Sequence, residues 1–133
     1  MSQENVETMK AALDAMAHLG LDAFAEYWAD DIDYRAVEGA LDDRGPMYGK
    51  EAVRAYMQDW FDTFDDFKVE PVELIDAGGE VIAVLRNSGR AKLSGVETDL
   101  TFAIVSTIRD GKIARGREYW TRDQAFEAAG LRV

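Results

Sequence analysis

Residues 64–121 constrain the chain more than any other stretch. After a helical pattern the apolar period shifts from about three and a half to two, and turn signals divide the stretch into four segments, 67–76, 80–91, 97–109 and 112–120. Gly78-Gly79 and Asp110-Gly111 are hairpin turns, and KLSGVE supplies the third. Consecutive hairpins make a twisted antiparallel sheet. The segments VIAVL and FAIVSTI are apolar at both parities, whereas a sheet with one wet face alternates. Both faces are therefore expected to be covered, one by helices and the other by a second subunit.

The helices lie mostly ahead of the sheet. Val6, Met9, Leu13 and Met16 place an amphipathic helix over 3–18, with Gly20 at its exit and His18 in its last turn. A short helix comes next, with Asp22 as N-cap and Phe24, Tyr27 and Trp28 inward. DIDYRAV, 31–37, reads as a strand, and EGALDDRGPMYG, 38–49, as a loop. Val53, Tyr56, Met57, Trp60, Phe61 and Phe64 form a wide stripe on a helix over 50–64. Thr121 and Gln124 make a capping box for a last helix that stops at Gly130. No repeat or linker divides the 133 residues, so one α+β domain, 1–133, is expected.

Composition narrows the function classes. Twenty-six acidic residues against 15 basic ones give a net charge of −11, which repels phosphate backbones and anionic membranes, so neither nucleic acid nor membrane is expected as a partner. The absence of cysteine excludes disulfides, thiolate metal sites and a cysteine nucleophile, and fits a cytoplasmic protein. With one histidine, a His-rich metal site is impossible, and Ser88 lacks the base a serine triad needs. No P-loop, dinucleotide fingerprint or calcium loop is present, so no cofactor or metal is expected. MSQENVETMK does not read as a signal peptide, and no apolar run reaches the length of a membrane span.

The element order and the phrases LDAFAEYWADDIDYRA, YGKEAVRAYMQDW, VEPVELIDAGGEVIAVL and IRDGKIARGREYW resemble the SnoaL-like branch of the nuclear transport factor 2-like superfamily. The resemblance implies a cone-shaped α+β fold, a strongly curved antiparallel sheet wrapped around N-terminal helices, with an internal pocket and commonly a homodimer through the sheet. The superfamily includes polyketide cyclases, ketosteroid isomerases, epoxide hydrolases, dehydratases and non-enzymatic binding modules, so the fold does not choose an activity.

The resemblance also orients the strands. With Glu118 inward, as the matching acid is in limonene epoxide hydrolases, alternation turns Ala114, Gly116 and Trp120 inward and Arg115, Arg117 and Tyr119 outward. The same resemblance turns Leu100, Phe102, Ile104 and Ser106 inward on the preceding strand, and Val84, Arg86 and Ser88 on the one before. Tyr34 joins from the first strand, and Tyr56 and Trp60 close the opposite wall. An Arg86–Glu118 ion pair, with Tyr34 as a third partner, would satisfy both charges in an apolar cavity. Glu118, Arg86 and Tyr34 are thus the candidate catalytic residues, and Tyr56, Trp60, Ser88, Phe102 and Trp120 the candidate contacts for a small apolar ligand.

The enzyme patterns of the superfamily are incomplete here. Tyr34, Arg86 and Glu118 match three members of the epoxide hydrolase set, but Ser88 stands for its first aspartate and Ala36 for its asparagine. The acidic positions of the isomerases fall near Arg35 or Ala36 and near Val105. A cyclase relying on one pocket acid fits Glu118. Two readings stay open: acid–base chemistry of cyclase, isomerase or hydrolase type at Glu118 and Arg86, or a ligand-binding or dimerisation module with a structural Arg86–Glu118 pair.

Overall fold

The computed structural model describes residues 2–131, so Met1, Arg132 and Val133 of the expected span lie outside the described residues. Helices α1 (Ser2–Leu19) and α2 (Leu21–Ala25) lead into β1 (Trp28–Arg35); then come β2 (Met47–Tyr48), α3 (Lys50–Thr63), the strands β3 (Phe64–Asp76), β4 (Glu80–Ala91), β5 (Glu97–Arg109) and β6 (Lys112–Tyr119), and finally α4 (Arg122–Ala128). The fold is α+β. Its six strands form one curved, unclosed sheet in the order β2-β1-β6-β5-β4-β3.

Turn chemistry sets the hairpins. Asp110 and Gly111 have φ of 52° and 74°, the pair of left-handed residues that a two-residue turn matched to strand twist demands. The chain then closes back on its start. β1 lies parallel to β6, with Tyr34 opposite Gly116, and joins the helical half to the hairpin half.

Some boundaries differ from expectation. β1 begins at Trp28 rather than 31, because Trp28 pairs with Ile113 and its ring is buried edge-on against Phe24, 5.5 Å between centroids. Within the expected loop 38–49, Met47–Tyr48 adds a short edge strand on β1. Asp22 is not the cap of α2; Gly20 holds that position, and Asp22 in the first turn accepts from Arg54 Nε at 2.6 Å. Phe64 opens β3 instead of ending α3, and clusters with Trp60 and Phe67, the three rings mutually 5.3–6.2 Å apart. The Thr121 half of the expected capping box forms, with Thr121 Oγ1 accepting from the Gln124 amide at 3.1 Å.

Two apolar clusters explain why β4 and β5 are apolar on both sides. The inner face packs on α1, α2 and α3 through Met9, Leu13, Trp28, Val53, Leu85 and Phe102. The outer cluster joins Ile82, Val84, Ala103 and Val105 to Ala125 and Phe126 of α4. The apolar outer residues ascribed to a second subunit are thus covered by the chain's own last helix. Among the described residues, no helix is long and apolar enough to cross a membrane.

One close approach fixes the inner face. The ring of Tyr34 lies across Gly116, where a Cβ would stand 2.5 Å from two ring carbons. Gly116→Ala should therefore push the ring aside and destabilise the fold by about 1–3 kcal/mol, as overpacking does. Chemical denaturation of Gly116→Ala in wild-type and Tyr34→Ala backgrounds checks this; an equal penalty in both would refute it.

Candidate functional site

The curved sheet and the helices enclose a cavity of about 610 Å³. Met9, Leu13 and Met16 of α1 line one wall, and Leu85, Phe102 and Ile104 of the sheet another. The volume suits a ligand of a few fused or linked rings. Glu118 projects into this apolar space from β6. Tyr34 Oη donates to its Oε2 at 2.6 Å, and Tyr56 Oη lies 3.0 Å from its Oε1.

The second carboxylate is Asp42. Its Oδ2 accepts from Tyr56 Oη at 3.0 Å and from Trp60 Nε1 at 3.0 Å. Asp42 is carried by the loop between β1 and β2, and the next residue secures that loop. Asp43 accepts from Arg35 Nε at 3.1 Å and Nη2 at 2.9 Å, and from the Gly39 and Gly45 amides, both at 2.9 Å. Those four donors, the Arg35 guanidinium first, hold the Asp43 carboxyl far below the usual carboxylate range. A half-buried ion pair with the strand thus positions Asp42 at the mouth.

The hydrogens in this network can be counted. Tyr56 has one proton and two carboxyl groups within reach. If both acids were ionised, one oxygen would face the phenol's lone pairs. If Glu118 carries a proton, it donates to Tyr56, Tyr56 donates to Asp42, and every group is satisfied. The electrostatics agree. Burial, opposed by hydrogen bonds from Tyr34 and Tyr56 and assisted by the Asp42 charge, pushes Glu118 from about 4.5 up to about 7. Glu118 is of intermediate exposure and borders the cavity. Burial and the neighbouring Glu118 raise both phenols, so Tyr34 and Tyr56 act as hydrogen-bond donors and not as bases.

Of the residues expected at the site, Tyr34, Tyr56, Trp60, Phe102, Trp120 and Glu118 all border the cavity. Trp120 sits at its rim, 49% exposed. Arg86 and Ser88 do not border it. The expected inward set on β4 is one residue out of phase: Ala83, Leu85 and Asn87 face the cavity, and Val84 packs under α4. Arg86 lies on the outer face, where Nε and Nη2 grip both Asp99 oxygens at 2.8 and 2.6 Å. The expected Arg86–Glu118 pair is therefore not formed. A guanidinium gains more from a wet bidentate partner than from an apolar interior. Ser88 shares that outer parity, opposite Lys68 and Asp99.

Sequence reasoning misses Asp42 and Asn87. Nothing in LDDRG separates Asp42 from Asp43 before the loop's hydrogen bonds are known. Asn87 is legible in principle. In LRNS one of two adjacent polar residues must face inward, and a neutral amide is far cheaper to bury than a guanidinium.

The raised pKa of Glu118 makes stability depend on pH in a definite direction. Between about pH 4.5 and 7 the folded protein keeps a proton on Glu118 that the unfolded chain has released, so this group's contribution to stability falls as pH rises through that window and is constant above it. Glu118→Gln should flatten the pH dependence of the urea midpoint across the window relative to wild type. Parallel slopes for the two proteins would refute a protonated Glu118. Arg86→Ala should leave the slope unchanged.

Comparison with known proteins places this geometry. Residues 9–116 match the SnoaL-like domain. No curated protein matches the chain. Among solved structures, a hypothetical protein of ketosteroid isomerase-like fold from Catenulispora acidiphila DSM 44928, in complex with trimethylamine, is similar at 19% identity and a TM-score of 0.71, covering 95% of this chain and 94% of its own. TerC co-crystallised with polyporic acid has 19% identity, a TM-score of 0.74 and coverage of 96% and 98%. A Mycobacterium tuberculosis protein in complex with estradiol-17beta-hemisuccinate has 17% identity, a TM-score of 0.74 and coverage of 90% and 95%. At these identities the likeness shows the fold alone, whereas the match over residues 9–116 shows the family. The chain belongs to the SnoaL-like domain family.

Proposed function

We propose that the cavity binds a small, mostly apolar molecule bearing an oxygen function, and that Glu118 exchanges a proton with it. The observation carrying this reading is a carboxyl held at about 7 in an apolar cavity and oriented through both oxygens by two phenols. A group balanced near neutrality is both a usable acid and a usable base. The cyclase- or isomerase-type reaction that fits moves a proton between carbon and oxygen of a bound carbonyl compound. Glu118 as carboxylate takes the proton from carbon and, once protonated, returns it. Tyr34 keeps Glu118 aimed, while Tyr56, Asp42 and Trp60 store the compensating hydrogen bonds. Similar proteins crystallised with polyporic acid and with a steroid hemisuccinate support ring compounds as the ligand class. Arg86, on the outer face, has no part in it.

A second reading has an observation of its own. Each Glu118 oxygen already has a phenol partner, which suits a site that holds a ligand without reacting.

Solvent-deuterium exchange into a panel of cyclic enones and hydroxyquinones distinguishes the two. Catalysis predicts accelerated exchange at activated C–H positions, lost by about a hundredfold or more in Glu118→Gln while ligand affinity persists. If bound compounds exchange no faster with wild type than with Glu118→Gln, the site is a binding module. Arg86→Ala should exchange like wild type.

A further inference from the structure

Asn87 is a polar group in the cavity that the proton network does not use. It is 7% exposed, and its Oδ1 has no hydrogen-bond partner among the described residues. Its strand neighbours are Val69 on β3 and Leu100 on β5, both of which line the cavity and offer it no side-chain hydrogen bond. The other β4 residues lining the cavity are Ala83 and Leu85, with Val81 beyond them in the inner core, so an apolar residue would fit the pattern. An orphaned buried amide is disfavoured unless something else completes it. The amide can turn about χ2 to present oxygen or NH₂ to the cavity, and a hydroxyl or carbonyl is the simplest complement to either.

Position makes this informative. Ala83 is opposite Ile104, and Ile104 is opposite Glu118. Asn87 is four residues further along β4, roughly 13 Å along the strand and about 10 Å across two strand spacings from Glu118, before the side chains converge inward. Leu85, Leu100 and Phe102 fill the interval with apolar surface.

We propose that the ligand is two-ended: an elongated apolar ring system with one oxygen function at Glu118 and a second hydroxyl or carbonyl, on the order of 10 Å away, hydrogen-bonded to Asn87. Asn87 is then a specificity-determining residue. This rests on the cavity being the ligand site, but not on Glu118 catalysis.

The probes are rigid pairs that differ only at the far end: estradiol against its analogue lacking the five-ring hydroxyl, and the biphenyl diol with hydroxyls at both para ends against the para mono-ol. Binding is monitored by quenching of tryptophan fluorescence, since Trp60 and Trp120 line the cavity. Wild type should prefer the two-ended member of at least one pair by about tenfold, the worth of one well-made hydrogen bond. Asn87→Leu should bring that ratio to about one with mono-ol affinity undiminished, and Asn87→Thr should keep part of it. Glu118→Gln should leave the ratio intact. Equal binding of both members of each pair to wild type, or a preference that survives Asn87→Leu, overturns the assignment of Asn87 and leaves the cavity reading standing. Failure of every probe to bind wild type overturns both. The wild-type comparison needs no variant to fold.

Discussion

A carboxyl group facing an apolar cavity must find a cation, find donors, or keep its proton, and the structure around Glu118 depends on which of these occurs. Among the described residues, no guanidinium lines the cavity. Tyr34 donates to one oxygen, Tyr56 contacts the other, and Asp42 adds a second acid beyond Tyr56. Gly116 is needed so that the Tyr34 ring can lie flat against β6, and Trp60 is needed to donate to Asp42. The loop carrying Asp42 needs Asp43 and Arg35 to hold its shape. Remove the buried acid, and much of this arrangement has no electrostatic reason to exist.

The arginines make the same point from outside. Arg35, Arg86, Arg117 and Arg122 are each matched to an acid, Asp43, Asp99, Asp33 and Glu73. Such partly wet pairs add little stability singly. Their larger effect here is to occupy cations where they remain solvated. Had Arg86 turned inward as the family resemblance implied, Glu118 would have been fixed as an anion. Its placement on the outer face leaves burial to decide the acid's state.

Period and turn chemistry carried most of the fold in the sequence. The shift of period at residue 64, Asp110-Gly111 and the Thr121 box located β3 to β6 and α4 because each is a local signal. The facing of β5, and of β6 from Gly116 onward, was legible once Glu118 was set inward; before Gly116 a bulge shifts the register, so Ile113 and not the expected Ala114 faces the cavity. That of β4 was not: VIAVL is apolar throughout, since one face meets the cavity and the other α4, and alternation has nothing to register. Its phase is carried only by the Arg86-Asn87 step. Met47–Tyr48 and Asp42 depend on contacts between distant segments, which no window of sequence contains. The aromatic residues of α3 were readable as a stripe, but their division between packing and hydrogen bonding was not.

The parallel pairing of β1 with β6 has a consequence for how the molecule comes into being. Tyr34 and Glu118 are separated by 84 residues, and every hairpin between them can close first. Contacts of such long sequence separation are slow to form. Partly assembled chains therefore present strands and helices but not the hydrogen-bond network around Glu118, and an acid in such a chain titrates like any solvated glutamate. The unusual acidity of this one side chain is a late property of folding, acquired when the two halves of the chain meet.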